Sequence, residues 1–189
     1  MKYEWRKKDK NMYLPKSMEV VHIPKFNYIT IEGQGTPAGD MFTECVGALY
    51  GISYALKMNL KNKEGFYDYT VFPLEGIWDL TEEGRNLYSQ GASIVDIKQH
   101  MKYKLMIRQP EFVSDKIFFE HQKSAYSKKK EESINRVKLE QIEDGFVCQM
   151  LHIGSYDSEP ESFKSMEEYC NEQGYQRIEK THREIYISD

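Results

Sequence analysis

The stretch FNYITIEGQGTPAGDMFTECVGALYGISYAL, Phe26 to Leu56, changes its hydrophobic period halfway along, and that change decides the fold. From Phe26 to Glu32 the side chains alternate, with Ile29 and Ile31 set against Tyr28 and Thr30, which is the period of a strand with two unlike faces. Gly33, Gly35 and Pro37 then break the pattern. From Asp40 onward Cys45, Leu49, Ile52 and Leu56 recur at helical spacing, and Asp40 stands where a cap is expected. Gly47, Ala48, Gly51 and Ala55 give the helix a second face of small residues. A strand, a glycine-rich turn and a long helix are therefore expected in that order.

Working outward, GFYDYTVFPLEGIWDL reads as a strand bent at Pro73 and Gly76, and TEEGRNLYSQGA as a loop or short helix. MKYKLMIRQP is a strand stopped by Pro110, and a helix is expected from there through the charged SAYSKKK. VKLEQIEDGFVCQMLHIGSY predicts two strands joined in a hairpin at Asp144-Gly145. SEPESFKSMEEYCNEQGY is a helix capped by Ser158, with Pro160 early and Gly174 as its stop, and a closing strand runs from Gln176 to Ser188. The order strand, helix, strand, strand thus occurs twice. Setting Gly33 on Gly154 also sets Phe42 on Phe163, and Trp78 falls on Tyr186 if the second helix region is 13 residues shorter. The expectation is an α+β chain, one domain over residues 1–189, in which duplicated strand-helix-strand-strand units form a pseudo-symmetric antiparallel sheet with helices on one face. The half-repeats cover about 18–110 and about 136–189.

Composition narrows the function. With 26 basic and 30 acidic residues the net charge is −4, which disfavours a nucleic-acid partner, and the basic run SKKKEES is neutralised by the acids beside it. No apolar run is long enough for a membrane span and no leader follows the charged start, so a cytoplasmic protein without a membrane partner is expected. Cys45, Cys148 and Cys170 are odd in number and widely spaced, which suits reduced thiols better than a disulfide framework or a zinc site. GQGTPAG lacks the Lys-Ser/Thr ending of a phosphate loop, and metal-ligand and nucleophile-elbow spacings are absent, so neither metal nor cofactor is expected.

What remains is aromatic: 14 Tyr, 9 Phe and 2 Trp. In HREIYISD, strand parity puts Glu184, Tyr186 and Ser188 on one side with His182, and Ile185 and Ile187 on the other. Tyr67, Tyr69 and Trp78 come from the matching region of the first half. If the halves meet along their sheets, a carboxylate, Glu184, lies in a cleft walled by rings, which suits a flat organic ligand. The same parity would also serve a solvated edge carboxylate and packed tyrosines. His182 and His152 are expected to be structural.

Seven segments in order, MYLPK, NYITIEGQG, GALYGISYALKM, YTVFPLEGIWDL, LMIRQPEFV, QMLHIGSYDSEPESF and HREIYISD, resemble the GyrI-like small-molecule-binding family over nearly the whole chain. The resemblance implies a central ligand cleft and planar, aromatic, often cationic ligands. It is strongest to the stand-alone branch, whose members include hydrolases that open the cyclopropane ring of cyclopropanoid DNA-alkylating agents. In that chemistry Glu184 would be the general base, and Tyr186 or Tyr69 would stabilise the developing phenolate. Trp78, Tyr67, Tyr103 and Met106 would hold the ligand. Sequestration or sensing of drugs without turnover, and a topoisomerase-inhibitor-like interaction module, are the alternatives. Thr36-Pro37-Ala38 replaces the Asp-Pro-Asn turn frequent in the family, and the chain ends at Asp189, where relatives continue into a further strand, which predicts an exposed edge and a possible homodimer.

Overall fold

Backbone hydrogen bonding turns the two periods into elements. The computed structural model describes residues 2–37, 39–179 and 181–187, so Ala38, Ser188 and Asp189, and the expectations placed on them, lie outside the described residues. In chain order the elements are α1 (Trp5–Lys8), α2 (Lys10–Tyr13), β1 (Glu19–Ile23), β2 (Phe26–Gln34), α3 (Asp40–Leu60), β3 (Leu74–Leu80), α4 (Glu82–Ser89) and α5 (Ile94–Lys98). They continue as β4 (Met101–Gln109), α6 (Asp115–Lys129), α7 (Glu132–Arg136), β5 (Lys138–Ile142), β6 (Gly145–Gln149), α8 (Glu159–Glu172) and β7 (His182–Tyr186). The fold is α+β, with antiparallel sheets.

Contacts divide the chain into two units. The first comprises residues 1–3, 26–141 and 181–189 and carries a five-stranded sheet in the order β5-β2-β4-β3-β7. Directly paired residues share a face. One face collects Ile29, Ile31, Leu105, Ile107 and Trp78, all buried, and α3 lies over it with Leu49, Ile52 and Leu56 fully enclosed. Gln109 at the end of β4 donates to Ser53 of α3 across 3.2 Å, so the helix is tied to the sheet by a buried polar bond as well as by apolar area. α6 and α7 pack on α3 in turn.

The opposite face of the same sheet is also covered, and it holds charge. Thr30, Met106, Glu75 and Tyr28 are at most 1% exposed. Glu75 faces Met106 on one side and Ile185 on the other, and its carboxylate meets the Arg183 guanidinium at 3.2 Å. Arg183 also lies over the Tyr28 ring, 5.5 Å from its centre.

One glycine in this sheet is required by a close approach. Gly33 faces Tyr103, whose ring lies across the glycine backbone: a Cβ built there would come 2.3 Å from Cε2 and 2.6 Å from the hydroxyl oxygen. The ring is 3% exposed and packed against Phe42 and Trp78, so it has little room to withdraw. Gly33→Ala is expected to lower stability by about 1–3 kcal/mol, the range for overpacking a filled core. A urea midpoint equal to that of the parent would contradict this contact.

The second unit comprises residues 4–25 and 142–180. β1 and β6 form its two-stranded ladder, with Val20 opposite Cys148. Trp5 and Tyr13 are buried edge to face at 5.1 Å, and Gln149 donates to the Asn11 carbonyl at 2.8 Å. His152 takes the structural part expected of it: its ring nitrogens engage the Ser162 hydroxyl at 2.8 Å and the Ser155 carbonyl at 3.0 Å, which fixes the turn leading into α8.

Several boundaries differ from the sequence expectation. β5 and β6 flank Asp144-Gly145 but are not a hairpin: β5 joins β2 and β6 joins β1, and Gly145 at φ 67° serves a link between two sheets. Asp40 is the first residue of α3 rather than its cap, which is Gly39. Pro110 ends β4, and α6 starts at Asp115 after Ser114, whose hydroxyl accepts from the Ile117 amide. The aromatic run before Pro73 is not a strand; among its residues only Tyr69 makes a bridge, to Tyr3. Among the described residues the closing strand runs over His182–Tyr186.

Candidate functional site

The antiparallel pairing of β3 with β7 places Leu74 opposite Tyr186, Gly76 opposite Glu184 and Trp78 opposite His182. All six share the face on which α3 lies, and their polar atoms form one chain. Trp78 Nε1 donates to Tyr186 Oη at 2.9 Å, and Tyr186 Oη donates to Glu184 Oε2 at 2.6 Å. His182 Nε2 meets the other carboxylate oxygen, Oε1, at 3.0 Å. The Glu184 side chain is 20% exposed and that of His182 29% exposed, so the carboxylate stands at a partly open edge with both oxygens engaged. His182, expected from the sequence to be structural, is a direct partner of the acid.

Behind this chain the rings are layered. Trp78, 3% exposed, stacks on Phe42 at 5.9 Å with 20° between planes, and Tyr103 closes both at 5.4 and 5.2 Å. Burial, and then the neighbouring Cys45, push the Tyr103 hydroxyl up to about 12, so it is a neutral phenol at ordinary pH.

Gly76 makes this arrangement possible. A Cβ on it would stand 3.0 Å from Trp78 Nε1, 3.3 Å from Leu105 Cδ2 and 3.4 Å from Tyr186 Oη, in the space where the indole and the phenol meet. Gly76→Ala is expected to loosen the Trp78–Tyr186 hydrogen bond, with a red-shifted, less protected tryptophan emission and a stability loss of about 1 kcal/mol. Unchanged emission and stability would show that the pair does not depend on the missing side chain.

The register bears on the repeat as well. The alignment that sets Trp78 on Tyr186, an offset of 108, also sets Gly76 on Glu184, because 184 − 76 is again 108. Gly76 and Glu184 are also direct partners in the ladder, with Trp78 and Tyr186 two places to either side. A local two-fold axis through the Gly76–Glu184 pair relates β3 to β7, as in any antiparallel pair of strands.

The structure brings together Glu184, Tyr186, Trp78 and Tyr103 of the expected residues, and it sets the others apart. Met106 is buried on the opposite face of the sheet, beside Glu75 and Thr30. Tyr67 and Tyr69 belong to a loop cluster with Phe112, at ring distances of 5.0 and 6.2 Å, and Tyr67 donates to Glu111 at 2.7 Å. Burial raises both phenols well above the usual tyrosine range. Sequence reasoning did not assign Glu75 and Arg183, and the signal available was a lone acid in the otherwise apolar run PLEGIW.

An open depression of about 520 Å³ adjoins the ring layer in the same unit. Tyr103, Met41, Ile77, Lys102 and Arg136 contribute to its lining. Among the described residues no group of three or more His, Cys, Asp or Glu is arranged to hold a metal ion, and no helix is long and apolar enough to cross a membrane.

Comparison with known proteins places this geometry. No curated protein matches the chain significantly. Solved structures do: an uncharacterized conserved protein from Listeria innocua is 29% identical, with a TM-score of 0.85 over 99% of this chain and 91% of its own. A hydrolase from Listeria innocua is 28% identical, with a TM-score of 0.82 over 99% of this chain and 94% of its own. Another hydrolase from the same organism is 29% identical, with a TM-score of 0.86 over 100% of this chain and 91% of its own. The model of the GyrI-like small molecule binding domain matches residues 16–189. With the segments, the sheet and the full-length match in agreement, the chain belongs to the GyrI-like small-molecule-binding family.

Proposed function

We propose that the chain binds a flat, lipophilic molecule against the Trp78, Tyr186 and Glu184 edge and hydrolyses it, opening a cyclopropane ring conjugated to a carbonyl. The observation that carries this reading is the chain of hydrogen bonds from Trp78 through Tyr186 to Glu184, which ends on a partly open carboxylate. Family membership supports a small-molecule ligand, and two of the similar structures are hydrolases.

In the reaction Glu184 takes a proton from a water as its oxygen bonds to the less hindered cyclopropane carbon. The carbon–carbon bond to that carbon breaks, and its electron pair moves through the ring system to the carbonyl oxygen. Tyr186 gives its proton to that oxygen, forming a phenol, and recovers one from Glu184, so that the sum is substrate plus water. Trp78 holds the phenol oxygen in place throughout. His182, on the far carboxylate oxygen, orients Glu184 toward the water. No cofactor is called for, because strain and aromatisation supply the driving force.

One observation favours binding without turnover: both oxygens of Glu184 are already engaged, one by Tyr186 and one by His182, so a water must displace one of them to be activated. Incubation with a cyclopropanoid alkylator, followed by mass spectrometry, separates the two. Several equivalents of the hydrated, ring-opened phenol per protein support hydrolysis. Recovery of unchanged compound in stoichiometric complex supports sequestration and overturns it.

A further inference from the structure

β7 is five residues long and lies at one end of the strand order, where among the described residues it pairs with β3 only. It nevertheless carries His182, Glu184 and Tyr186. A strand held along one edge has half the ladder bonds of a central strand to keep its register. A slip of one residue would turn Glu184 to the opposite face, and a slip of two would carry it about 7 Å along β3.

Two side-chain links oppose such slips. On the site's face Trp78 Nε1 donates to Tyr186 Oη, and Tyr186 itself stands opposite Leu74, so this link leans toward the C-terminal end of β3. On the other face Arg183 stands opposite Ile77 and its Nη1 donates to Glu75 Oε2 at 3.2 Å, so that link leans toward the N-terminal end. Nη1 also reaches the Tyr28 hydroxyl at 3.4 Å, which ties β7 to β2. A two-residue shift of β7 one way stretches the Trp78–Tyr186 link, and a shift the other way stretches Arg183–Glu75. A one-residue slip takes Arg183 off its face altogether and strands the Glu75 carboxylate, which is 1% exposed.

We propose that Glu75 and Arg183 are positioning residues for Glu184, pinning β7 in register from behind the site against the opposing pull of Trp78–Tyr186. The pin follows from the ladder alone; its effect on turnover rests on the hydrolytic reading above.

The test is the double variant Glu75→Gln, Arg183→Met, which removes the ion pair without leaving a buried charge. Hydrogen exchange read by mass spectrometry is expected to be about tenfold faster in β7 and unchanged in β4 of the same sheet. The Trp78 indole N–H resonance, identified by its loss in Trp78→Phe, should shift as its bond to Tyr186 loosens. Turnover of a cyclopropanoid should fall about 10²-fold in kcat with KM nearly unchanged, as for a group misplaced by about 1 Å. Arg183→Lys, which keeps a cation beside Glu75, should return the exchange and the indole signal toward the parent. Parent-like β7 exchange and indole signal in the double variant would overturn the pin. Equal acceleration in β4 and β7 would also overturn it, making the pair a general stabiliser. A parent chain without turnover would fail the hydrolytic reading alone, and the exchange result would still decide the pin.

Discussion

Arg183→Met is expected to lower the unfolding free energy by about 3–5 kcal/mol, the usual cost of removing one partner from a buried ion pair. Glu75 is 1% exposed, and after the substitution its carboxylate remains between Met106 and Ile185 without the guanidinium that stands 3.2 Å away. Methionine fills much of the arginine's volume, so the loss reports charge rather than a cavity. Adding Glu75→Gln should return a large part of the loss, because the amide carries no net charge to strand in the interior. Urea unfolding of the four proteins forms a double-mutant cycle. A single Arg183→Met variant within 1 kcal/mol of the parent would mean that this pair contributes about what a surface ion pair does.

The second large effect is catalytic. Glu184→Gln should reduce turnover of a cyclopropanoid by about 10²–10⁴, the range that general base catalysis supplies. The amide offers one oxygen where the carboxylate offers two, so Tyr186 and His182 cannot both keep their bonds and one must turn away. Tyr186→Phe leaves the base but removes the proton donor, and should reduce turnover less. Ligand affinity, read from quenching of Trp78, should fall by far less than turnover in both variants. Equal losses in affinity and turnover would instead assign the two side chains to binding alone.

The readable parts of this molecule were those governed by local rules. Alternation in HREIYISD puts Glu184 and Tyr186 on one side of a strand, and the pairing with β3 then turns that side toward Trp78. The long helix from Asp40 was legible from four apolar residues at helical spacing. The hairpin at Asp144-Gly145 failed because a turn dipeptide says that the chain bends but not which strand each arm will join, and here both partners lie more than a hundred residues upstream. Tyr67 and Tyr69 have strand propensity, yet the loop packs both rings against Phe112 and bonds Tyr67 to Glu111, contacts no local pattern contains. Glu75 and Arg183 find each other only because β7 lies beside β3.

The ladder crossing at Gly76 and Glu184 sets a limit on how alike two antiparallel partner strands can be. Residues facing each other there have their Cβ positions about 5 Å apart, so an acid on both strands would put two negative charges in direct repulsion. A chain built from identical copies would have to leave that position neutral on both sides. Placing one carboxylate in such a crossing therefore requires the two strands to differ at that residue, one giving up its side chain entirely so that the other can carry the charge.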